Sequence, residues 1–134
     1  MTDRLTDVAS IRELLQRFDE ALERRDLAAA LDLCEEGVVF IGSGKGEQAV
    51  GREAIVEMAM HLANGASETE FHVTNATFDI EVHGDVALFT SFGIAHLRSA
   101  REIREGPYRL TGALVWRAGA WKLRAYHGSE PLAW

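Results

Sequence analysis

The sequence predicts an α+β fold, with helices gathered on one face of a bent antiparallel sheet. Two observations carry that expectation. Up to residue 65, apolar side chains recur every three or four positions, interrupted by one short apolar run. Beyond residue 70 they alternate with a period of two. The 134-residue length suits one domain over residues 1–134, which on folding buries roughly two thirds of its unfolded surface.

The first helix is the clearest element. Leu5, Val8, Ile11, Leu15, Phe18 and Leu22 form an apolar stripe that Leu14 and Ala21 widen, while Arg12, Glu13, Arg17, Glu20 and Glu23 face outward. Thr6 or Asp7 can cap its start, and Arg24, Arg25 and Asp26 end it. Asp26 then caps a short second helix carrying Leu27, Leu31 and Cys34, closed by Glu35, Glu36 and Gly37. Residues 38–41 read as a short apolar strand. Gly42, Gly44 and Gly46, spaced by Ser43 and Lys45, favour no regular element and make a flexible loop. It is not a phosphate loop, because Gly rather than Ser or Thr follows the lysine and no helix starts there. A third helix opens at Gly51 with Ile55, Met58, Ala59 and Leu62 on one face, and Asn64 and Gly65 supply a left-handed stop.

Residues 71–83, 86–99, 108–117 and 121–129 follow as strands. Gly84 and Asp85, residues 101–106, and Ala118 and Gly119 are the turns. The charged run from Arg98 to Glu105 reads as a solvated hairpin tip. In the second of these strands both faces are apolar: Val86, Leu88, Phe92 and Ile94 on one, Ala87, Phe89, Ala95 and Leu97 on the other. A sheet with water on one side alternates more cleanly. The pattern therefore predicts a homodimer through the outer sheet face, the alternative being a central strand with ordinary exposed apolar residues.

Net charge of −7 argues against nucleic acid or an anionic membrane as partner, since both reward clustered Lys and Arg. The start has no apolar signal segment and no run reaches the roughly 18 residues of a membrane span, so a cytoplasmic location is expected. Cys34 is the single cysteine, so no intrachain disulfide is expected, and in its apolar company an inert buried thiol is. The five histidines are scattered without a His-x-His or His-Glu-x-x-His pair, which predicts neither a metal nor another cofactor.

The last two strands carry a more specific pattern. Tyr108 to Trp116, a tight turn, and Trp121 to Ser129 end in Tyr126, His127, Gly128, Ser129. This hairpin resembles the C-terminal hairpin of SnoaL-like proteins in the nuclear-transport-factor-2-like superfamily. The resemblance implies a cone-shaped, curved sheet of cystatin-like type, wrapped by three N-terminal helices around a pocket. Polyketide cyclases, scytalone dehydratase, ketosteroid isomerase and the kinase association domain share that fold, so function does not follow from it.

Strand parity places His72 with Thr74, Ala76, Phe78, Ile80 and Val82, an inward face on which an imidazole could shuttle protons. Scytalone dehydratase resembles this in using pocket histidines; a histidine merely satisfied at a strand start is the other reading. Parity likewise sets His127 with Trp121, Leu123, Ala125 and Ser129 on the cavity side, opposite Lys122, Arg124 and Tyr126. There His127 serves either catalysis or a fold-supporting hydrogen bond to Ser129. The catalytic candidates are His72 and His127; the ligand-binding candidates are Phe18, Met58, His96, Tyr108, Trp121, Tyr126 and Ser129. The isomerase pattern needs a carboxylate on the first strand and a tyrosine on the first helix. Residues 38–41 hold no carboxylate and the helix no tyrosine, so that mechanism is not expected. Asp19 is an alternative acid, although its helical position favours solvation. Two functions stay open: proton transfer on a small apolar carbonyl compound, as in isomerases, dehydratases or cyclases, or a non-catalytic dimeric binding or assembly module.

Overall fold

Ile11, Leu14, Leu15, Phe18 and Ala21 are buried along one side of α1 (Arg4–Glu23), while Arg12, Glu13, Arg17, Glu20 and Glu23 are exposed. The stripe follows the predicted spacing, except that Leu22 at its end is exposed. The structure is a computed structural model that describes residues 4–65 and 70–132; the Leu5 and Leu62 side chains lie outside its description. Because α1 already includes Arg4, Thr6 and Asp7 sit inside the helix instead of capping it. Asp7 is buried and accepts a hydrogen bond from Trp121 Nε1 at 3.2 Å, fastening the start of the helix to the end of the sheet. At the other end Arg25 adopts φ 60°, with Arg25 N–H donating to Leu22 O and Asp26 N–H to Ala21 O. That is a left-handed helix terminus built on a residue other than glycine.

Asp26 caps α2 (Leu27–Asp32), accepting the Ala29 N–H at 3.1 Å. The second helix is shorter than the sequence implies. Cys34 opens β1 (Cys34–Ile41) instead of closing the helix, because Leu33 O accepts the Leu123 N–H and Cys34 pairs with Leu123. Sheet pairing from the far end of the chain overrides the local helical pattern. A further strand that its length hides from any periodicity, β2 (Gln48–Val50), folds back on β1 across the glycine loop. α3 (Arg52–Gly65) follows, with Ile55 buried and Met58 and Ala59 half-buried. Asn64 and Gly65, expected to stop the helix, are its last two residues; residues 66–69 lie outside the described residues.

β3 (Glu70–His83), β4 (Val86–Arg98), β5 (Ile103–Arg117) and β6 (Ala120–Ser129) complete one sheet in the order β2-β1-β6-β5-β4-β3. Its pairs are antiparallel except β1 with β6, which is parallel and joins the two ends of the chain. Ala118 (φ 52°) and Gly119 (φ 80°) form the tight β5–β6 turn, both in the left-handed region that such hairpins require. The β4–β5 turn is shorter than expected: Ser99 N–H donates to Glu102 O, and β5 starts at Ile103.

Two register shifts decide which side chains enter the core. In β3 the pairing with β4 slips between Asn75 and Phe78. In β6 the partner of Ala113 is Ala125 but that of Leu114 is Leu123, leaving Arg124 as the extra residue. A bulge reverses the alternation beyond it. Val73 and Asn75 therefore share the inner face with Phe78, Ile80 and Val82, and Tyr126 and Gly128 share it with Trp121 and Leu123. The curved sheet stays open, with the helices on its inner face over a core of Ile11, Leu15, Phe89, Leu110, Leu114 and Leu123. Among the described residues no helix is long and apolar enough to cross a membrane.

Candidate functional site

The two bulges turn Asn75 and Tyr126 toward α1, where both meet one carboxylate. Tyr126 Oη donates to Asp19 Oδ1 at 3.0 Å, and Asn75 Nδ2 donates to Asp19 Oδ2 at 2.8 Å. The Asn75 amide is itself oriented. The Ser91 hydroxyl, buried on β4, lies 3.2 Å from Asn75 Oδ1 and 2.7 Å from Thr77 O, inside the bulge. Phe18, Phe40 and Phe89 surround the Tyr126 ring at centroid distances of 4.9, 5.6 and 6.2 Å.

Burial dominates the electrostatics. Loss of hydration pushes the Asp19 carboxyl up from 3.8 to about 6, against the two hydrogen bonds that favour its charged form, and Glu23 adds to the rise. Tyr126 is held well above its usual value by burial and then by the Asp19 charge, so its phenol keeps its proton. Tyr108 is also raised, first by burial, and donates to Ser43 Oγ at 3.2 Å. Its hydroxyl lies against Gly128, where a Cβ would overlap it. That close approach needs glycine.

Two adjoining chambers of about 160 Å³ each open beside this cluster. The first is apolar, enclosed by Phe18, Leu27, Leu31, Ile55, Met58 and Leu123. The second is bordered by Asp19, Glu23, Phe71, Tyr108 and Gly128; Leu22, Phe40, Glu47 and Tyr126 line both. A wider cleft of about 320 Å³ runs between α1 and β3 past Arg12, Gln16, Asn75 and the far side of Asp19. It is more open and has less apolar wall, so the chambers are the better ligand site. Asp19 borders both spaces.

Of the residues singled out in the sequence, the fold brings together Phe18 and Met58 in the apolar chamber and Tyr108 and Tyr126 in the polar one. Trp121 is buried, but packs against Trp116 (5.6 Å) and bonds Asp7 instead of lining a chamber. Of the three candidate histidines, only His72 borders a chamber, the polar one; His96 and His127 line neither. Ahead of the β3 bulge, the His72 ring points to the outer face and stacks on His96 at 4.6 Å. His96 also meets Thr74 Oγ1 (3.1 Å) and Glu105 (3.5 Å) there, away from the chambers. Beyond the β6 bulge, His127 is exposed on that same outer face, and Ser129 accepts from Arg109 Nε at 3.2 Å. For His72 and His127 the bulges break the alternation; for His96 it holds, and the face it shares with Phe92 and Ile94 is the outer one.

Conversely, Asp19 is no solvated helix residue. Its signal was present: it lies four residues after Leu15 and three before Leu22, on the flank of the apolar stripe. Asn75 and Ser91 had no such signal, because their meeting depends on the bulge. Cys34 is inert as expected; burial pushes its thiol up to about 11 and it donates to Ala30 O. No group of His, Cys, Asp and Glu among the described residues could hold a metal ion.

Comparison with known proteins agrees with this architecture. No curated protein matches the chain. A protein of the nuclear-transport-factor-2-like family from Streptomyces avermitilis, described as a candidate dehydratase, superposes with TM-score 0.78 at 22% identity. The match covers 98% of this chain and all of that one. A protein with a cystatin-like fold from Novosphingobium aromaticivorans gives 0.75 at 17% identity, over 97% of this chain and 85% of that one. ActVI-ORFA of Streptomyces coelicolor gives 0.73 at 19%, over 92% and 96%. At such identities these likenesses establish the fold alone. The model of the SnoaL-like domain matches residues 11–133, from the buried stripe of α1 to the Tyr126–Ser129 end of the sheet, and the chain belongs to that family.

Proposed function

We propose that the protein binds a small, mainly apolar carbonyl compound in the two chambers and that Asp19 moves a proton on it. The observation that carries this reading is a half-buried carboxylate, raised to about 6, fixed by Tyr126 and Asn75 at the wall of an aromatic cavity. Near neutral pH such a group is mostly ionised yet more basic than an ordinary carboxylate, which suits a general base. Asp19 would take a proton from the carbon next to the carbonyl while the C–H electron pair moves toward the carbonyl oxygen. The Tyr108 hydroxyl, which lines the same chamber, would turn from Ser43 to donate to that oxygen. Returning that proton to another carbon completes an isomerisation; delivering it to a β-hydroxyl that leaves as water, while the enolate pair closes the C=C bond, completes a dehydration. The solved neighbour described as a candidate dehydratase supports this direction by analogy.

The test is hydrogen exchange in heavy water. Aromatic and alicyclic ketones that raise the melting temperature should incorporate deuterium at the α-carbon, with a rate that rises with pH through about 6. Asp19→Asn should slow it roughly 100-fold or more, the usual weight of a general base. Equal incorporation by a bound ketone in both proteins would show that Asp19 is not the base.

One observation favours an assembly role alongside or instead of chemistry. Val86, Leu88, Phe92 and Ile94 line the outer face of β4 with exposures of 42, 47, 68 and 47%. We propose that a second copy covers this face, since a self-complementary apolar patch on a sheet is an isologous interface in waiting. Light scattering should give twice the 14.8 kDa chain mass, and Phe92→Glu should halve it. A monomer at micromolar concentration sinks the proposal.

A further inference from the structure

We propose that the carbonyl ligand of the two chambers is also a cation, its apolar ring or short chain carrying a protonated amine. The inference rests on the reading of those chambers as a ligand site and goes on to assign the ligand's charge. The apolar chamber sets the tail. A cavity of about 160 Å³ walled by Leu, Ile, Met and Phe is close to the ~150 Å³ apolar cavity that accepts one benzene ring.

The second chamber sets the head. Its acidic side chains are Asp19, Glu23 and Glu47, and no Lys or Arg is among its described lining residues. His72 also borders this chamber, with its ring stacked on His96 toward the outer face. Phe40, Phe71, Tyr108 and Tyr126 give it aromatic walls beside Leu22, Ile41 and Val73, with Phe71 and Tyr108 edge to face at 5.7 Å. Aromatic faces beside carboxylates make a cage that favours a cation and disfavours an anion. The charges felt inside agree in sign: Glu23 acts on Asp19, Glu47 and Glu130 on Tyr108, and Asp19 on Tyr126. Two cations on β5 stand by Glu130, Arg109 at 3.3 Å from its backbone carbonyl and Arg104 at 3.9 Å from its carboxylate, and neither is part of the chamber wall.

The glycine loop has a role in this arrangement. A Cβ on Gly42 would come within 2.6 Å of Glu47 Oε2, and one on Gly44 would overlap Oε1. Glycines there let the Glu47 carboxylate lie against the loop backbone at the waist between the chambers. Glu23, one α-helical turn beyond Asp19, stands at the rim. An amine threaded past the waist thus meets carboxylates from α1 and from the start of β2, and its tail fills the apolar chamber.

Titration calorimetry on the full chain at pH 7.5 with phenylbutylamine, phenylbutanol and phenylbutanoate separates charge from shape. The amine should bind about tenfold more tightly than the alcohol, and the butanoate more weakly than either. In Glu23→Gln/Glu47→Gln, which keeps the Asp19 carboxylate, the amine's advantage should shrink to about twofold while the alcohol's affinity is unchanged. Glu23→Gln alone, away from the loop packing, should remove part of the advantage and serves if the double variant does not fold. An alcohol that binds as well as the amine, or an advantage that the two substitutions leave undiminished, overturns the cation assignment and leaves the pocket standing. Binding of none of the three overturns the assignment together with the pocket reading. A failure of deuterium exchange, by contrast, bears on Asp19 as a base and leaves the preference for amines untouched.

Discussion

Lowering the pH from 7.5 to 5 is expected to stabilise the wild type relative to Asp19→Asn by about 1 kcal/mol, a few degrees in melting temperature. The sign follows from the direction of the shift. The folded-state value of Asp19 is about 6, above the ordinary 3.8, so between those values the folded protein holds a proton that the unfolded chain has released. Stability therefore rises as the pH falls through 6, and the whole contribution, on the order of 3 kcal/mol, is present only below the unfolded value. The cause is burial beneath Phe18 and the Tyr126 ring, only partly offset by the hydrogen bonds from Tyr126 and Asn75. Melting curves of the two proteins across this range should diverge toward acid. Parallel curves would mean that Asp19 titrates like an ordinary carboxylate, and the proton-transfer reading would lose its base.

Gly112→Ala should cost about 2–3 kcal/mol, lowering the melting temperature by some 5–15 °C. Gly112 sits on β5 between Phe89 on β4 and Tyr126 on β6. A Cβ there would come 2.5 Å from the Phe89 ring and would overlap the Ala125 carbonyl. Neither neighbour can yield cheaply: Phe89 is 1% exposed, and the carbonyl belongs to the backbone beside the β6 bulge. Phe89 moving would also disturb Tyr126, 6.2 Å away, and with it the bond to Asp19. Gly37→Ala is the matched control, because a Cβ at Gly37 meets nothing within 4 Å. That variant should stay within about 0.5 kcal/mol of wild type. If both substitutions prove neutral, the core around Phe89 is looser than its packing indicates.

Much of the architecture is legible without coordinates. The α1 stripe, the Asp26 cap, the alternating strands and the Ala118–Gly119 turn all depend on neighbours within a few residues, where periodicity and backbone preference act directly. Elements decided by distant pairing are less legible. Cys34 leaves the helical pattern because Leu123 is waiting for it, and β2 is too short to announce itself. The pocket's apolar members, Phe18 and Met58, follow from helix faces, and the two tyrosines from a recognisable hairpin.

The chemistry of the site was settled by tertiary structure. Period-two counting put His72 and His127 inside and Tyr126 outside, whereas one extra residue in β3 and another in β6 exchange those places. A bulge has little local signature here: Asn75, Ala76 and Thr77, or Arg124 and Ala125, carry no glycine or proline to mark it. Its position is chosen by the packing of whole strands against α1. Asp19 acquires its character the same way, since a carboxylate becomes a buried acid only when other elements exclude its water. The helices, strands and family are thus written in local pattern, while the direction in which each polar side chain points, and the proton affinity it then has, arise from the assembled sheet.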